Sequence, residues 1–183
     1  MNKDFIITFS KRKFSPLHAK PEEIDIIDIA HALSLMCRAN GHIRHFYSVA
    51  QHCLNCSLEA AARGLPEKIQ LACLLHDASE AYISDITRPI KRSLPQYLAF
   101  EEVLQNQIYD RLNLSRLKSE EQAIVKEIDD ALLYYELLDL MGEEIFENRP
   151  EITGIPDLSQ RDFNSVKEAF LAEYDKLISA LSA

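Results

Sequence analysis

The segment of greatest chemical interest is Leu74-Leu75-His76-Asp77-Ala78-Ser79-Glu80, where an imidazole and two carboxylates interrupt an apolar stretch. On a helix each residue turns by about 100°, so we expect Glu80 to project between His76 and Asp77. Such a face can hold a divalent cation and keep a base beside its bound water. The same residues could instead hydrogen-bond to one another within a core. The segment alone therefore leaves both interpretations open.

Further metal ligands would have to come from other segments of the chain. An apolar stretch ending in His52 supplies a second imidazole, and a later one supplies the adjacent carboxylates of Asp129 and Asp130. Neighbouring residues on a helix point about 100° apart, so only one of these two carboxylates can face a site squarely. All six histidines lie within the first 76 residues, which confines imidazole chemistry to that part of the chain.

Helices must position these side chains, because apolar residues recur at helical spacing along most of the chain. The periodicity predicts six helices, over about residues 24–37, 47–63, 66–82, 94–112, 119–142 and 162–181. Ser119 to Gln122 forms a capping-box pattern, and Gly64 and Gly142 suit the residue that follows a helix. Residues 143–161 contain two prolines and a glycine and are predicted to form a surface loop.

Length and composition agree with one helical domain over residues 1–183. The chain is 47% hydrophobic and 27% charged, which excludes a disordered protein, and four glycines with no tryptophan disfavour a β-sandwich. The net charge of −9 disfavours a nucleic-acid-binding protein. Charge is uneven, with 12 basic and 10 acidic residues in 1–92 and 8 and 19 in 93–183. We therefore expect an all-α bundle of about six main helices.

The chain shows no signal-peptide pattern and no apolar run of membrane-spanning length, so we expect a cytoplasmic protein with no membrane partner. Its four cysteines are then expected to be reduced thiols. Cys53 and Cys56 form a C-x-x-C pattern, but it lies inside a predicted helix without a second pair. We therefore do not predict zinc binding or redox chemistry from it.

Taken together, His52, His76-Asp77 and Asp129 resemble the H…HD…D signature of the HD-domain metal-dependent phosphohydrolases. The resemblance implies that these four residues bind one divalent metal ion. HD proteins with more metals use additional histidines before the final Asp, and no histidine follows residue 76 here. The ligand set is compatible with Mn, Co, Fe, Zn or Mg.

A longer stretch is similar to the bacterial HD-type 5′-deoxynucleotidases, because Glu80, Asp85, Pro89 and Lys91 follow the HD pair at matching spacing. Residues 28–34, 41–42 and 46–52 resemble a related group of bacterial and phage HD hydrolases. The resemblance covers about residues 25–140, leaving a C-terminal loop and helix over 143–183. It implies that Glu80 and Asp85 are catalytic, orienting or activating water and handling the leaving-group proton.

A phosphate dianion also calls for cationic donors beside the metal. The cations that lie near the motifs are Arg38, Arg44, Arg88 and Lys91, of which Arg38, Arg44 and Lys91 are the predicted phosphate-binding candidates. Arg38 resembles the phosphate-binding arginine of the nucleotidases, but the loop to the first metal histidine is shorter here, so Arg38 and Arg44 compete for this role. His31 lies on an apolar face and is predicted to be a core histidine rather than a ligand.

The function that the resemblance implies is hydrolysis of the phosphate ester of (deoxy)nucleoside 5′-monophosphates. One alternative is release of triphosphate from a deoxynucleoside triphosphate, and another is a noncatalytic HD regulator that binds a nucleotide. The expected partner is a small-molecule nucleotide rather than a nucleic acid. Relatives in these families form dimers, so a homodimer is the oligomeric state to test.

Overall fold

Helices dominate the computed structural model, which describes residues 4–114, 116–144 and 148–182. A short antiparallel hairpin of β1 (Ile6–Ile7) and β2 (Lys13–Phe14) precedes them, with Ile6 opposite Phe14. The helices are α1 (Ile26–Leu35), α2 (Val49–Ala62), α3 (Glu67–Leu75), α4 (Glu80–Ile83), α5 (Arg88–Lys91), α6 (Pro95–Arg111), α7 (Ser119–Met141) and α8 (Phe163–Leu181). The predicted all-α class is confirmed. No helix in these ranges is both long and apolar enough to cross a membrane.

The structure differs from the predicted helices chiefly after Leu75. A continuous helix over 66–82 was expected, but α3 ends at Leu75 and α4 begins only at Glu80. Between them, the Ala78 N–H donates to the Leu75 carbonyl and the Glu80 N–H to the Asp77 carbonyl, a spacing of three residues. Tight turns therefore replace the regular helix at the His-Asp pair, and the expected 100° rotation does not describe it.

Helix ends follow local sequence signals with one correction. Ser48 caps α2 by accepting from the Gln51 N–H, while Gly64 and Gly142 follow their helices with φ of +69° and +77°. At α7 the predicted capping box, which began at Ser119, was wrong by one residue. Lys118 is the N-cap, and its N–H donates to the Glu121 carboxylate at 2.7 Å.

Helix α2 lies at the centre of the packing, because it contacts α1, α3, α7 and α8. Apolar side chains of α2 and α3 such as Val49, Leu71 and Leu74 are fully buried. His52 lies on the same helix and is also fully buried. Its ring must therefore find polar partners inside the protein, since an unpaired buried polar group costs free energy.

The loop predicted after α7 lies against α2 over its described part, residues 148–161, which contains neither helix nor strand. Glu59 on α2 anchors it by accepting from the Thr153 N–H at 2.9 Å and the Gly154 N–H at 2.7 Å. Asn55 binds the loop further along, donating to the Asp157 carbonyl and accepting from the Asp157 N–H. Buried side chains of α2 thus hold the loop in place.

Replacing Glu59 with Gln should lower the free energy of unfolding by about 1–3 kcal/mol, because a buried charged acceptor is lost. Burial by itself raises the pKa of Glu59, but hydrogen bonds from Arg63 and the two loop N–H groups lower it overall. The carboxylate therefore stabilises the fold above its ordinary pKa of about 4.5, and this stabilisation is lost as the pH falls through the lower folded value. Urea denaturation at neutral and acidic pH measures both effects.

Glu127→Gln is the matched control, because Glu127 accepts from the same Arg63 at 2.8 Å but its side chain is 69% exposed. We expect a change within about 0.5 kcal/mol. Equal losses in the two variants would contradict a special role for Glu59.

Candidate metal centre

The four predicted ligands come together from α2, the turn after α3, and α7. The Nε2 atom of His52 lies 3.3 Å from His76 Nε2 and 3.3 Å from Asp129 Oδ1. His76 Nε2 lies 3.3 Å from Asp77 Oδ2 and 3.9 Å from Asp129 Oδ1. The two imidazoles therefore lie side by side, and each has a carboxylate oxygen 3.3 Å from its Nε2.

These separations can be compared with the coordination shell of a transition metal. Ligand bonds of about 2.0–2.2 Å that meet at about 90–110° place neighbouring donor atoms about 2.8–3.6 Å apart. Three of the four separations are 3.3 Å and the fourth is 3.9 Å. The separations around the two histidines therefore lie in or near the range of a metal coordination shell.

Two cysteines lie beside the histidines. Cys56 Sγ is 3.6 Å from His52 Nε2, so His52, Cys56 and His76 all offer donor atoms within 4.8 Å of one another. Cys53 forms a second such group with His76 and Asp77. We did not predict a metal site from the C-x-x-C pattern, but both of its cysteines lie beside His76, because α2 directs them towards the turn after α3.

A carboxylate absent from the sequence prediction, that of Glu136, holds His52. Its Oε1 lies 2.5 Å from His52 Nδ1 and accepts from the Tyr47 hydroxyl at 3.0 Å. Its Oε2 accepts from Arg38 Nη2 at 3.1 Å. An Nδ1–H that donates to Glu136 leaves Nε2 free to bind a cation. Glu136 lies seven residues after Asp129, two turns along the same face of α7, and this spacing was the available sequence signal.

Arg38 and Arg44 are separated by the structure. The Arg38 side chain is 14% exposed and its Nη1 lies 3.4 Å from Asp77 Oδ2, so it borders the cluster. The Arg44 N–H donates to the Leu140 carbonyl, which is eleven residues past Asp129 and thus about 16 Å further along α7. Of the two competing arginines, only Arg38 is brought to the predicted ligands.

Lys91 lies between two carboxylates rather than facing open space. Its Nζ is 2.6 Å from Glu101 on α6 and 3.3 Å from Glu80, and it lies over the ring of Tyr97. Glu101 was not predicted as a site residue. Lys91 is therefore paired with Glu80 and Glu101, and a phosphate contact would require breaking these pairs.

Glu80 is buried and Asp85 is half-buried, and both interact electrostatically with Asp77 of the cluster. The Oε2 atom of Glu80 is buried without a hydrogen-bond partner among the described residues. Burial, together with the negative charges of Asp77 and Asp85, raises the pKa of Glu80 to about 9. Burial also raises the pKa of Asp85. Both carboxyl groups therefore retain protons more readily than exposed ones.

The two adjacent carboxylates on α7 face different partners. Asp129 points Oδ1 at the histidines and Oδ2 at Arg88 Nη2, which is 2.6 Å away. Asp130 instead pairs with Arg88 Nη1 and with Lys126. Burial alone would raise the pKa of Asp129, but its hydrogen bond with His52 and the nearby positive charges hold it below the ordinary value. Asp129 is thus an ionised carboxylate available to a cation.

The remaining histidines of interest lie outside this cluster. His31 stacks on Phe9 with ring centroids 3.7 Å apart, and burial lowers its pKa. His45 bonds the Leu158 carbonyl at 2.9 Å, in the loop that covers α2. His31 therefore contacts an aromatic ring and His45 a loop carbonyl, rather than the candidate ligands.

Fold and site together define an all-α protein with a His, Cys and Asp cluster able to bind a metal. The chain is 40% identical over 152 residues to the uncharacterized protein YfdR of Escherichia coli K12, covering 83% of this chain and 80% of YfdR. It is 31% identical over 188 aligned positions to an uncharacterized protein of Rhodobacter capsulatus, covering 94% and 95% of the two chains. The chain belongs to the same family as these proteins. No family model matches it.

Glu80→Gln should stabilise the metal-free protein increasingly as the pH rises. A carboxyl with a raised folded pKa binds more protons folded than unfolded between about 4.5 and about 9, so the wild type loses stability across that window. The advantage of the variant should grow by more than about 1 kcal/mol between about pH 5 and about pH 8. Urea denaturation in the presence of a chelator measures this change.

The control is Glu102→Gln, which removes an exposed carboxylate from α6. Its effect should be small and nearly constant with pH. A pH-independent effect of Glu80→Gln would contradict a raised pKa at Glu80.

Proposed function

We propose that this protein is an HD-domain metal-dependent phosphohydrolase that cleaves the phosphate ester of (deoxy)nucleoside 5′-monophosphates. The observation that carries the proposal is the meeting of His52, His76, Asp77 and Asp129 with donor atoms at coordination spacing. The resemblance to the H…HD…D signature supports the same four residues independently of the geometry. We propose a cytosolic setting, where nucleotides are available.

The chemistry divides among a few groups. A divalent ion held by the four ligands would lower the pKa of a bound water and polarise a phosphoryl oxygen. Glu80, whose high pKa makes it a strong base once ionised, would orient the attacking water and accept its proton. Asp85, whose pKa is also raised, would donate a proton to the leaving 5′ oxygen. Arg38 would contribute positive charge beside Asp77.

A groove between α6 and α7 supports a nucleoside as the leaving group. It measures about 280 Å³, and both His76 and Asp129 contribute to its lining. Tyr109, Leu117 and Val125 provide apolar surface, and the amides of Asn106 and Gln122 add hydrogen-bonding groups. This volume lies near the lower end of small-molecule sites, which suits one nucleoside rather than a larger ligand.

The proposal is tested with purified protein, a panel of nucleoside mono- and triphosphates, and Mn, Co or Mg. Orthophosphate released from monophosphates supports it, whereas tripolyphosphate would identify a triphosphohydrolase. Binding of a nucleotide without turnover by the metal-loaded protein would identify a noncatalytic regulator. Each product pattern therefore selects one function.

Asp77→Asn should lower both Mn²⁺ affinity and turnover at least about 100-fold, because one carboxylate ligand loses its charge. Asp139→Asn is the matched control, since Asp139 is exposed on α7. It should retain both properties within about twofold. Isothermal titration with Mn²⁺ measures affinity separately from turnover. Full activity in Asp77→Asn would refute the assignment.

A further inference from the structure

We propose that Arg88, on α5, is the side chain that binds the phosphate of the substrate. This inference rests on the proposed phosphohydrolase function and adds a residue that the sequence resemblance did not assign. The guanidinium forks between Asp129 Oδ2 and Asp130 Oδ1, at 2.6 Å and 2.5 Å. Since the other oxygen of Asp129 faces the histidines, Arg88 lies one carboxylate away from the candidate metal centre.

The other cations near the cluster are held more tightly. The Arg38 side chain is only 14% exposed and lies between Asp77 and Glu136. Lys91 is 19% exposed and is held between Glu80 and Glu101. Arg88, in contrast, is 39% exposed and reaches solvent at the edge of the cluster. It is therefore the cation that an incoming anion can reach with the least rearrangement.

The pairs that Arg88 makes are also the ones most easily exchanged. Asp130 has a second cation, because Lys126 Nζ lies 2.6 Å and 2.7 Å from its two oxygens. Asp129 is the carboxylate that a divalent ion would claim, and positive charge there weakens its attraction for a guanidinium. Both partners of Arg88 are therefore satisfied without it once the centre is loaded.

The geometry of the fork matches the proposed ligand. Two parallel N–H groups of a guanidinium bind two oxygens of a phosphate as well as they bind carboxylates. Arg88 already presents such a pair to oxygens of two residues beside the cluster. A phosphate next to Asp129 would replace those oxygens with its own.

Arg88→Gln tests this role through three measurements on the full chain. The affinity of the Mn²⁺-loaded protein for orthophosphate, measured by titration calorimetry, should fall at least about tenfold. The KM for a nucleoside monophosphate should rise by a similar factor. Mn²⁺ affinity should stay equal or increase, because Arg88 no longer competes for Asp129. A residue that merely supports Asp129 would instead weaken Mn²⁺ binding when removed.

Arg92→Gln is the matched control, since Arg92 follows α5 directly and is exposed. It should leave all three values within about twofold. Arg88→Lys preserves the charge without the fork and should give intermediate phosphate affinity. Its phosphate affinity also tests the role of Arg88 if Arg88→Gln does not fold.

Unchanged orthophosphate affinity in Arg88→Gln, or weakened Mn²⁺ binding, would overturn the proposal. The measurement separates this inference from the proposed function. If the wild-type protein binds orthophosphate through Arg88 but hydrolyses no nucleotide, the phosphate site stands and the hydrolase assignment fails. If the wild type and Arg88→Gln hydrolyse nucleotides with the same KM, the hydrolase assignment stands and the phosphate site at Arg88 fails.

Discussion

The structure depends on one buried carboxylate, that of Glu136, and on the charge pairing it provides. Its two oxygens serve His52, Tyr47 and Arg38, all in the interior of the bundle. A buried charge without partners is strongly destabilising, so this group ties α7 to α2 and to the segment before α2. It also fixes the ring of His52, which directs Nε2 at the other candidate ligands.

The turn after α3 gives Asp77 and Glu80 different partners. Asp77 lies towards His76 and Arg38, whereas Glu80 begins α4 and lies near Lys91. A continuous helix would have directed Glu80 between the other two side chains. The observed turn keeps Glu80 outside the ligand cluster but beside it, in a region dry enough to raise its pKa.

Charge is balanced locally although the chain as a whole carries −9. Arg38, Arg88 and Lys91 each lie between two carboxylates around the centre. A metal cation bound at the centre would therefore weaken the attraction of these carboxylates for the basic side chains, which would then be available to an anion. The negative net charge of the chain does not exclude binding of a small phosphorylated ligand, because attraction at short range depends on the nearest charged groups.

The sequence by itself determined most helices and the ends at Gly64 and Gly142, because periodicity and helix-ending glycines are local properties. It indicated the four candidate ligands only through their resemblance to the HD signature. The structure alone revealed the roles of Glu136, Glu101 and the two cysteines. Glu136 is 84 residues from His52, and no local pattern encodes a partner at that distance. The turn at His76 also required tertiary contacts, since the Gln105 side chain, 30 residues from Leu75, binds the Leu75 carbonyl and the Ser79 N–H there. Packing, rather than propensity, decides where such buried polar groups meet.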